Sequence, residues 1–320
     1  NSIFASQVAN DDLKWETTTQ SNIGLDFEVF DRKLTGSLDY YVKETSDLFV
    51  GQRVRSLLGV TNISINSDGT LKNSGVDLTL GYTPINNGDL RVKFTVSGNY
   101  NKSERFGANL STIEEGGPLG QYYTLRYAGV NPANGNQLFL DATGNVTETP
   151  NTDTDRVFSG KTRFPDYQGS VGFDIDYKNF FLQANMTYAI GVDRFDNDYN
   201  DATDPTAIGQ FRHSRDILRA WTPTNRITDI PALRATNLAI GSDRFLKSAD
   251  YLRLRFVSFG YNLPKEVTDK INLSGVRAFI NGENLVTFSG WRGYDVEGFA
   301  STGRSYPTPR TVSFGLEIGF

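Results

Sequence analysis

Large apolar residues recur at every second position in several stretches of the chain. Ile23, Leu25, Phe27 and Val29 alternate with Gly24, Asp26 and Glu28, and Leu34, Leu38 and Tyr40 continue on one parity beyond the short FDRK link. Val76, Leu78, Leu80 and Tyr82 form a third set; Leu90, Val92, Phe94 and Val96 form a fourth beyond PINNGD. Val171, Phe173, Ile175 and Tyr177 turn at KN into Phe180, Leu182, Ala184, Met186 and Tyr188. A period of two places successive side chains on opposite faces and predicts half-buried strands. In YLRLRFVSFGYNL the parity breaks at Phe256 and Val257, which predicts a bulge or burial on both faces. With VRAFINGENLV and the terminal Val312, Phe314, Leu316, Ile318 and Phe320, the pattern predicts about nine strands.

The connections sort into two kinds. Tight links fall at residues 30–33, 84–89 and 177–179, with a longer one at 263–272. Long links, rich in Gly, Asn, Asp, Thr and Pro, fall near 43–71, 102–166, 190–249 and 286–308. Long loops without structure of their own are uncommon in compact domains, whereas short turns at one end and long loops at the other characterise outer-membrane barrels. The expected fold class is therefore all-β, the C-terminal part of a transmembrane antiparallel β-barrel with long extracellular loops; a soluble sandwich or solenoid is the alternative. Nine strands do not close a bacterial barrel of even strand number, and lipid tolerates no bare edge. The closing strands are accordingly expected upstream of Asn1, and residues 1–320 alone are expected not to form a closed barrel. On this reading Asp26, Glu28, Asp39, Asp174, Asp176 and Glu317, with Arg253 and Arg255, form a polar wall facing the lumen.

Composition narrows the chemistry. No run approaches the ~20 apolar residues of a spanning helix. The 32 Lys and Arg against 37 Asp and Glu give a formal net charge of −5 with no basic run, so nucleic acid is excluded as a partner. No cysteine is present, which removes disulfides, thiolate metal sites and thiol nucleophiles. The chain opens at Asn1 without a recognisable signal peptide, and its one methionine is Met186, as expected of a fragment or processed product.

No enzyme is expected. A Ser-His-Asp site would have to use the one histidine, His213, within QFRHSRDILRAWTPTN. The adjacent carboxylates Glu114 and Glu115 read as solvated loop residues rather than a glycosidase pair. Asp196, Asp198 and Asn200 have the alternate oxygen spacing that opens a calcium loop, but Asp201 replaces the expected glycine and no glutamate closes it. Calcium is thus the one cofactor candidate. Tyr122, Tyr123, Trp221, Trp291 and Tyr294 fall in the long loops, where aromatic faces can stack on substrate, meet a partner protein, anchor at the membrane interface or pack loops together.

The segment NDDLKWETTTQSNIGLDFEVFDRKLTGSLDYYVKETSDLF (10–49) resembles a block characteristic of the SusC/RagA family, TonB-dependent outer-membrane transporters of the Bacteroidetes. The resemblance continues in family order through SGVDLTLGY, FPDYQGSVGFDIDYKNFFLQANMTYAIG, YLRLRFVSFGYNLPKEV, VRAFINGENLVTFSGWRGYDVE and YPTPRTVSFGLEIGF. It implies the final part of a 22-stranded barrel that follows a plug domain. It also implies a SusD-like surface lipoprotein as lid, energy from TonB through an N-terminal region, and import of oligosaccharides or, in some members, peptides. A non-transporting barrel used for adhesion or scaffolding is the alternative. The terminal strand, with Phe314, Leu316, Ile318 and Phe320, resembles the signal read by barrel-assembly machinery, so deletion of Phe320 is expected to lower membrane insertion.

Overall fold

The computed structural model describes residues 10–54, 60, 62–107, 114–298 and 306–320. Its frame is a nine-stranded sheet in which sequence neighbours are also spatial neighbours. The strands are β1 (Thr17–Val29), β2 (Leu34–Ser46), β3 (Thr70–Asn86), β4 (Leu90–Phe106), β5 (Tyr167–Tyr177), β6 (Phe180–Ile190), β7 (Tyr251–Asn262), β8 (Gly275–Ser289) and β9 (Thr311–Gly319). Every pair is antiparallel, and β1 and β9 are the two edges of this sheet.

The register carries the alternation across the whole sheet. Leu25, Leu38, Leu78, Gly98, Gly169, Tyr188, Leu252 and Phe288 lie opposite one another in successive strands. One residue along, Asp26, Ser37, Thr79, Ser97, Ser170, Thr187, Arg253 and Thr287 form an equally continuous polar row. One face is therefore apolar and the other polar from β1 to β8, and a slip of one residue anywhere would exchange them. The apolar face remains open: Leu25 is 61 % exposed and Phe314 83 %. Such a surface is incompatible with water and suited to hydrocarbon.

Aromatic residues bound the apolar band. Tyr40 and Tyr100 flank Val76 in register, and the Tyr100 and Tyr167 rings stand 5.0 Å apart. Near the tight turns, Phe180 packs on Tyr261 with centroids 4.6 Å apart and stacks with Phe259 at 6.0 Å. The ten-residue step from Tyr167 to Tyr177, at ~3.3 Å per residue and a tilt near ~40°, spans about 25 Å, the height of the apolar belt in outer-membrane barrels.

The predicted parity break is a bulge. Leu254 and Phe256 oppose Val286 and Glu283 in β8, and the register against β6 shifts between Asn185 and Met186. Asn284 takes up the distortion with a left-handed φ of 53°. The bulge returns Val257 to the apolar face and turns Arg255 toward the polar one, where it bonds Thr187 Oγ1 at 3.1 Å.

Two features depart from expectation. β3 and β4 each run 17 residues, well past the tyrosine row, and their upper parts are polar: Ser103 Oγ lies 2.5 Å from Asn73 Oδ1, and Lys102 pairs with Glu104 at 2.7 Å. The polar face also carries Phe181 and Phe279, with the Arg277 guanidinium 4.0 Å above the first ring and 5.6 Å above the second. They fit because Gly260 and Gly315 lie beneath them; a Cβ there would come within 2.4 Å of Phe181 or 2.1 Å of Phe279.

The tight links have the expected places. Lys178 turns β5 into β6 with a φ of 54°, and Phe30, Asp31 and Arg32 all adopt left-handed φ between β1 and β2. The longer link contains a single helical turn, Lys265–Thr268. All long loops leave the opposite end of the sheet: L1 (47–69), L2 (107–166), L3 (191–250) and L4 (290–310).

Candidate functional site

L2, L3 and L4 are folded against one another into a canopy. In L2 a three-stranded sheet, Arg126–Val130, Gln137–Leu140 and Val146–Thr147, carries a turn built by Glu148. Its carboxylate accepts from the side-chain amides of Asn131, Asn134 and Asn136 at 2.5, 2.8 and 2.7 Å, and these bonds hold its pKa below the usual glutamate value. L3 clamps this unit through Asn237, which is buried. Asn237 Oδ1 accepts from Gln137 N at 3.0 Å, its Nδ2 donates to the Gln137 and Glu148 carbonyls at 2.9 Å each, and Gln137 Nε2 donates to the Asn237 carbonyl at 2.8 Å. A buried side chain satisfied this completely replaces a stretch of strand pairing between two irregular loops.

Between L2 and L3 lies a cleft of about 610 Å³. Tyr122 and Tyr123 form one wall, on a strand (Gln121–Thr124) paired with Val157–Thr162. Tyr122 meets Phe195 edge-on at 5.2 Å and donates to the Asp193 carbonyl at 3.1 Å; burial pushes its phenol above the ordinary tyrosine pKa. The other side has Asn197, Asn200, Ser242, Arg244 and Phe245, and Arg156 reaches the cleft from L2. Aromatic faces, amides, hydroxyls and two guanidinium groups make a surface for a polar oligomer with apolar ring faces.

L4 closes on the sheet through charge. Arg253, in β7, reaches Asp295 at 2.5 Å and also pairs with Glu297, while Arg255 reaches Glu297 at 2.5 Å. Arg253 Nε further donates to Thr287 Oγ1 at 2.9 Å, and Tyr251 donates to Glu297 at 2.6 Å. Burial alone would raise the Asp295 carboxyl, but bonds from Arg253 and Thr308 and from the Glu297 amide outweigh it and hold the pKa well below the carboxylate range. Glu297 is depressed likewise, with Arg255 and Tyr251 overcoming its burial. A second opening of about 530 Å³, lined in part by Trp291, Tyr294 and Arg310, lies beside this cluster.

The predicted aromatics thus divide. Tyr122 and Tyr123 share the first cleft; Trp291 and Tyr294 share the second. Trp291 also packs on the small apolar core of Ala189, Val192, Ala249 and Val296, whereas Tyr294 is 76 % exposed. Trp221 lies elsewhere and donates to the Pro132 carbonyl at 3.1 Å, tying L3 to L2. Glu114 and Glu115 are exposed, and His213 is half-buried in L3. Phe320 lies just past β9 and is 96 % exposed.

The residues with calcium-loop spacing open a short helix. Asp196 is buried and caps the short helix α1 (Asn197–Thr203), accepting from Tyr199 N at 2.9 Å. Asp198 and Asn200 are inside α1, and Asp198 Oδ2 accepts from Tyr294 N of L4 at 3.4 Å. Among the described residues no group of three or more His, Cys, Asp or Glu side chains is placed to hold a metal ion. Sequence reading missed Arg156, Phe195, Arg244 and Phe245, none of which sits in a motif.

Comparisons with known proteins follow the same outline. Residues 1–121 match the family described as TonB dependent receptor-like, beta-barrel. The TonB-dependent receptor P3 of Formosa agariphila is 30 % identical, the alignment covering 100 % of this chain and 36 % of that protein. The TonB-dependent receptor SusC of Bacteroides thetaiotaomicron is 26 % identical, with 97 % of this chain and 32 % of SusC covered. Among solved structures, the RagAB peptide transporter superposes with a TM-score of 0.86 at 26 % identity, covering 98 % of this chain and 36 % of the matched chain. The chain therefore spans little more than a third of the length of the relatives it matches.

Proposed function

Because the chain belongs to the β-barrel of TonB-dependent receptors of the SusC/RagA type, we propose that it forms barrel wall and extracellular canopy in an outer-membrane nutrient importer. The sheet crosses the outer membrane, its apolar face in lipid and its polar face lining the path of the substrate. A SusD-like lipoprotein caps the canopy from outside, and TonB supplies the energy through a region outside these residues. No bond of the substrate is made or broken, so the protein acts as a transporter and not as an enzyme. Barrel-assembly machinery reads the terminal strand, including Phe320. The observation that carries this reading is the register of the nine-stranded sheet, which gives it one apolar and one predominantly polar face.

The substrate is an oligosaccharide, captured at the aromatic and amide surface of the canopy. A second reading, peptide import, is favoured by the likeness to the RagAB peptide transporter. Uptake of labelled oligosaccharides and oligopeptides by cells with and without the gene separates the two. Both uptakes unchanged on deletion, or resistant to a protonophore, would count against energised import altogether.

A further inference from the structure

The L2–L3 cleft is lined by two arginines, Arg156 and Arg244, and one carboxylate, Asp204. Four other canopy arginines meet carboxylates: Arg219 and Arg292 meet Asp216, and Arg253 and Arg255 meet Asp295 and Glu297. Arg244 and Arg156 take part in no ion pair among the described residues. The Arg244 guanidinium is half-buried, 4.7 Å over the Phe245 ring and 5.5 Å over Tyr127, and gives one hydrogen bond, to the Asp229 carbonyl at 3.3 Å. Arg156 commits its Nε to the Thr152 carbonyl at 2.9 Å. A guanidinium has five donors in a fork that matches an oxyanion, and holding one out of water without a counter-charge is costly. The one carboxylate on the cleft, Asp204, is engaged by Thr206, whose amide and hydroxyl donate at 2.9 and 2.8 Å. In a chain of net charge −5, a cleft lined by two arginines and one carboxylate is a local reversal of sign.

Resting on the importer reading above, we propose that this cleft selects acidic oligosaccharides. Arg244 and Arg156 take a carboxylate or sulfate group, and Tyr122, Tyr123 and Phe195 take the sugar faces. The two groups share a planar or tripodal array of anionic oxygens, which the arginine fork recognises in either case. Asn197, Asn200 and Ser242 offer the amides and hydroxyl that ring hydroxyls need. The cleft volume lies within the range of preformed small-ligand sites.

The test is calorimetric titration of the full gene product in detergent with paired probes. These are hexagalacturonate against its fully methyl-esterified form, a sulfated galactan hexasaccharide against its desulfated form, and hexaglutamate. At least one charged saccharide is expected to bind about ten-fold or more tighter than its neutral partner, with a preference that weakens as salt rises. The pair showing the preference tells carboxylate from sulfate. Arg156 is exposed, so Arg156→Gln should leave folding, read by outer-membrane yield and heat-modifiability, unchanged while removing most of that preference. Asp204→Asn should strengthen it. Equal affinity for charged and neutral forms, no binding of either charged saccharide, or hexaglutamate binding as tightly would each overturn the proposal. Binding in detergent needs no energised membrane, so the two readings fail separately. A charge preference without uptake retires import alone, whereas uptake without charge preference retires this inference alone.

Discussion

The sheet and the canopy are held together by opposite strategies. In the sheet one rule is repeated: each strand alternates, each neighbour is adjacent in sequence, and the register from Leu25 to Phe288 follows from that rule. In the canopy almost every contact is unique and distant. Tyr127 N donates to Asp243 across 116 positions, and Gln137 and Asn237 clasp one another across 100. The sheet borrows its stability from lipid, so each residue of its outer face matters a little. The canopy buries scattered apolar residues such as Leu125, Phe139, Ile230 and Leu246, and its distant loops are joined by buried polar contacts that each matter a great deal.

That contrast can be broken at its strongest point first. Asp295→Ala deprives Arg253, whose side chain is 5 % exposed, of one of its two carboxylate partners, and should cost about 3–5 kcal/mol. The loss should appear as release of L4, read by hydrogen exchange over 290–298, and not as collapse of the sheet. The depressed pKa values of Asp295 and Glu297 carry a sign. Their stabilisation is fully present above the ordinary carboxylate range and is lost as pH falls below it through the lowered values. In the unmodified protein, protection of L4 should therefore persist from neutral pH down to ~4 and fail only below it. Release at pH 6 would break the assignment.

Val171→Arg puts a charge in the middle of the apolar band, between Val96 and Met186, and should cost about 2–4 kcal/mol. Equilibrium unfolding in micelles would report it as a shift of the whole barrel transition, with L2–L3 contacts intact until the sheet gives way. Asn237→Ala strips the Gln137 backbone of both partners and should cost about 1–3 kcal/mol. Its effect should be confined to faster proteolysis of L2. A change in the barrel transition equal to that of Val171→Arg would erase the distinction between the two regions.

The same distinction decides what could be read from sequence. Strand positions, tight turns and even the bulge at Phe256 were legible because a lipid face and a water face impose alternation residue by residue. The upper parts of β3 and β4 were not, because above the tyrosine row both faces are polar and alternation has no cause. Phe181 and Phe279 escaped because the space they fill comes from glycines on neighbouring strands. In the canopy, Tyr122 and Tyr123 could be nominated as aromatics in a loop, but not distinguished from Trp221, whose ring nitrogen is spent on Pro132. Arg244 carried no local signal at all. What singles it out is its place on the cleft, stacked over Phe245 and over Tyr127 of a distant loop, a property of segments far apart in the chain.

The clasp between L4 and the strands has a mechanical consequence. Arg253 and Arg255 project from β7 beside the bulge, and the carboxylates they grip belong to the segment that leads into β9. β7 and the loop that joins β8 to β9 are thereby welded into one stiff post at neutral pH. A lid opening and closing over this canopy would find in L4 a door-jamb rather than a hinge, and its swing would have to be accommodated on the side of L2 and L3.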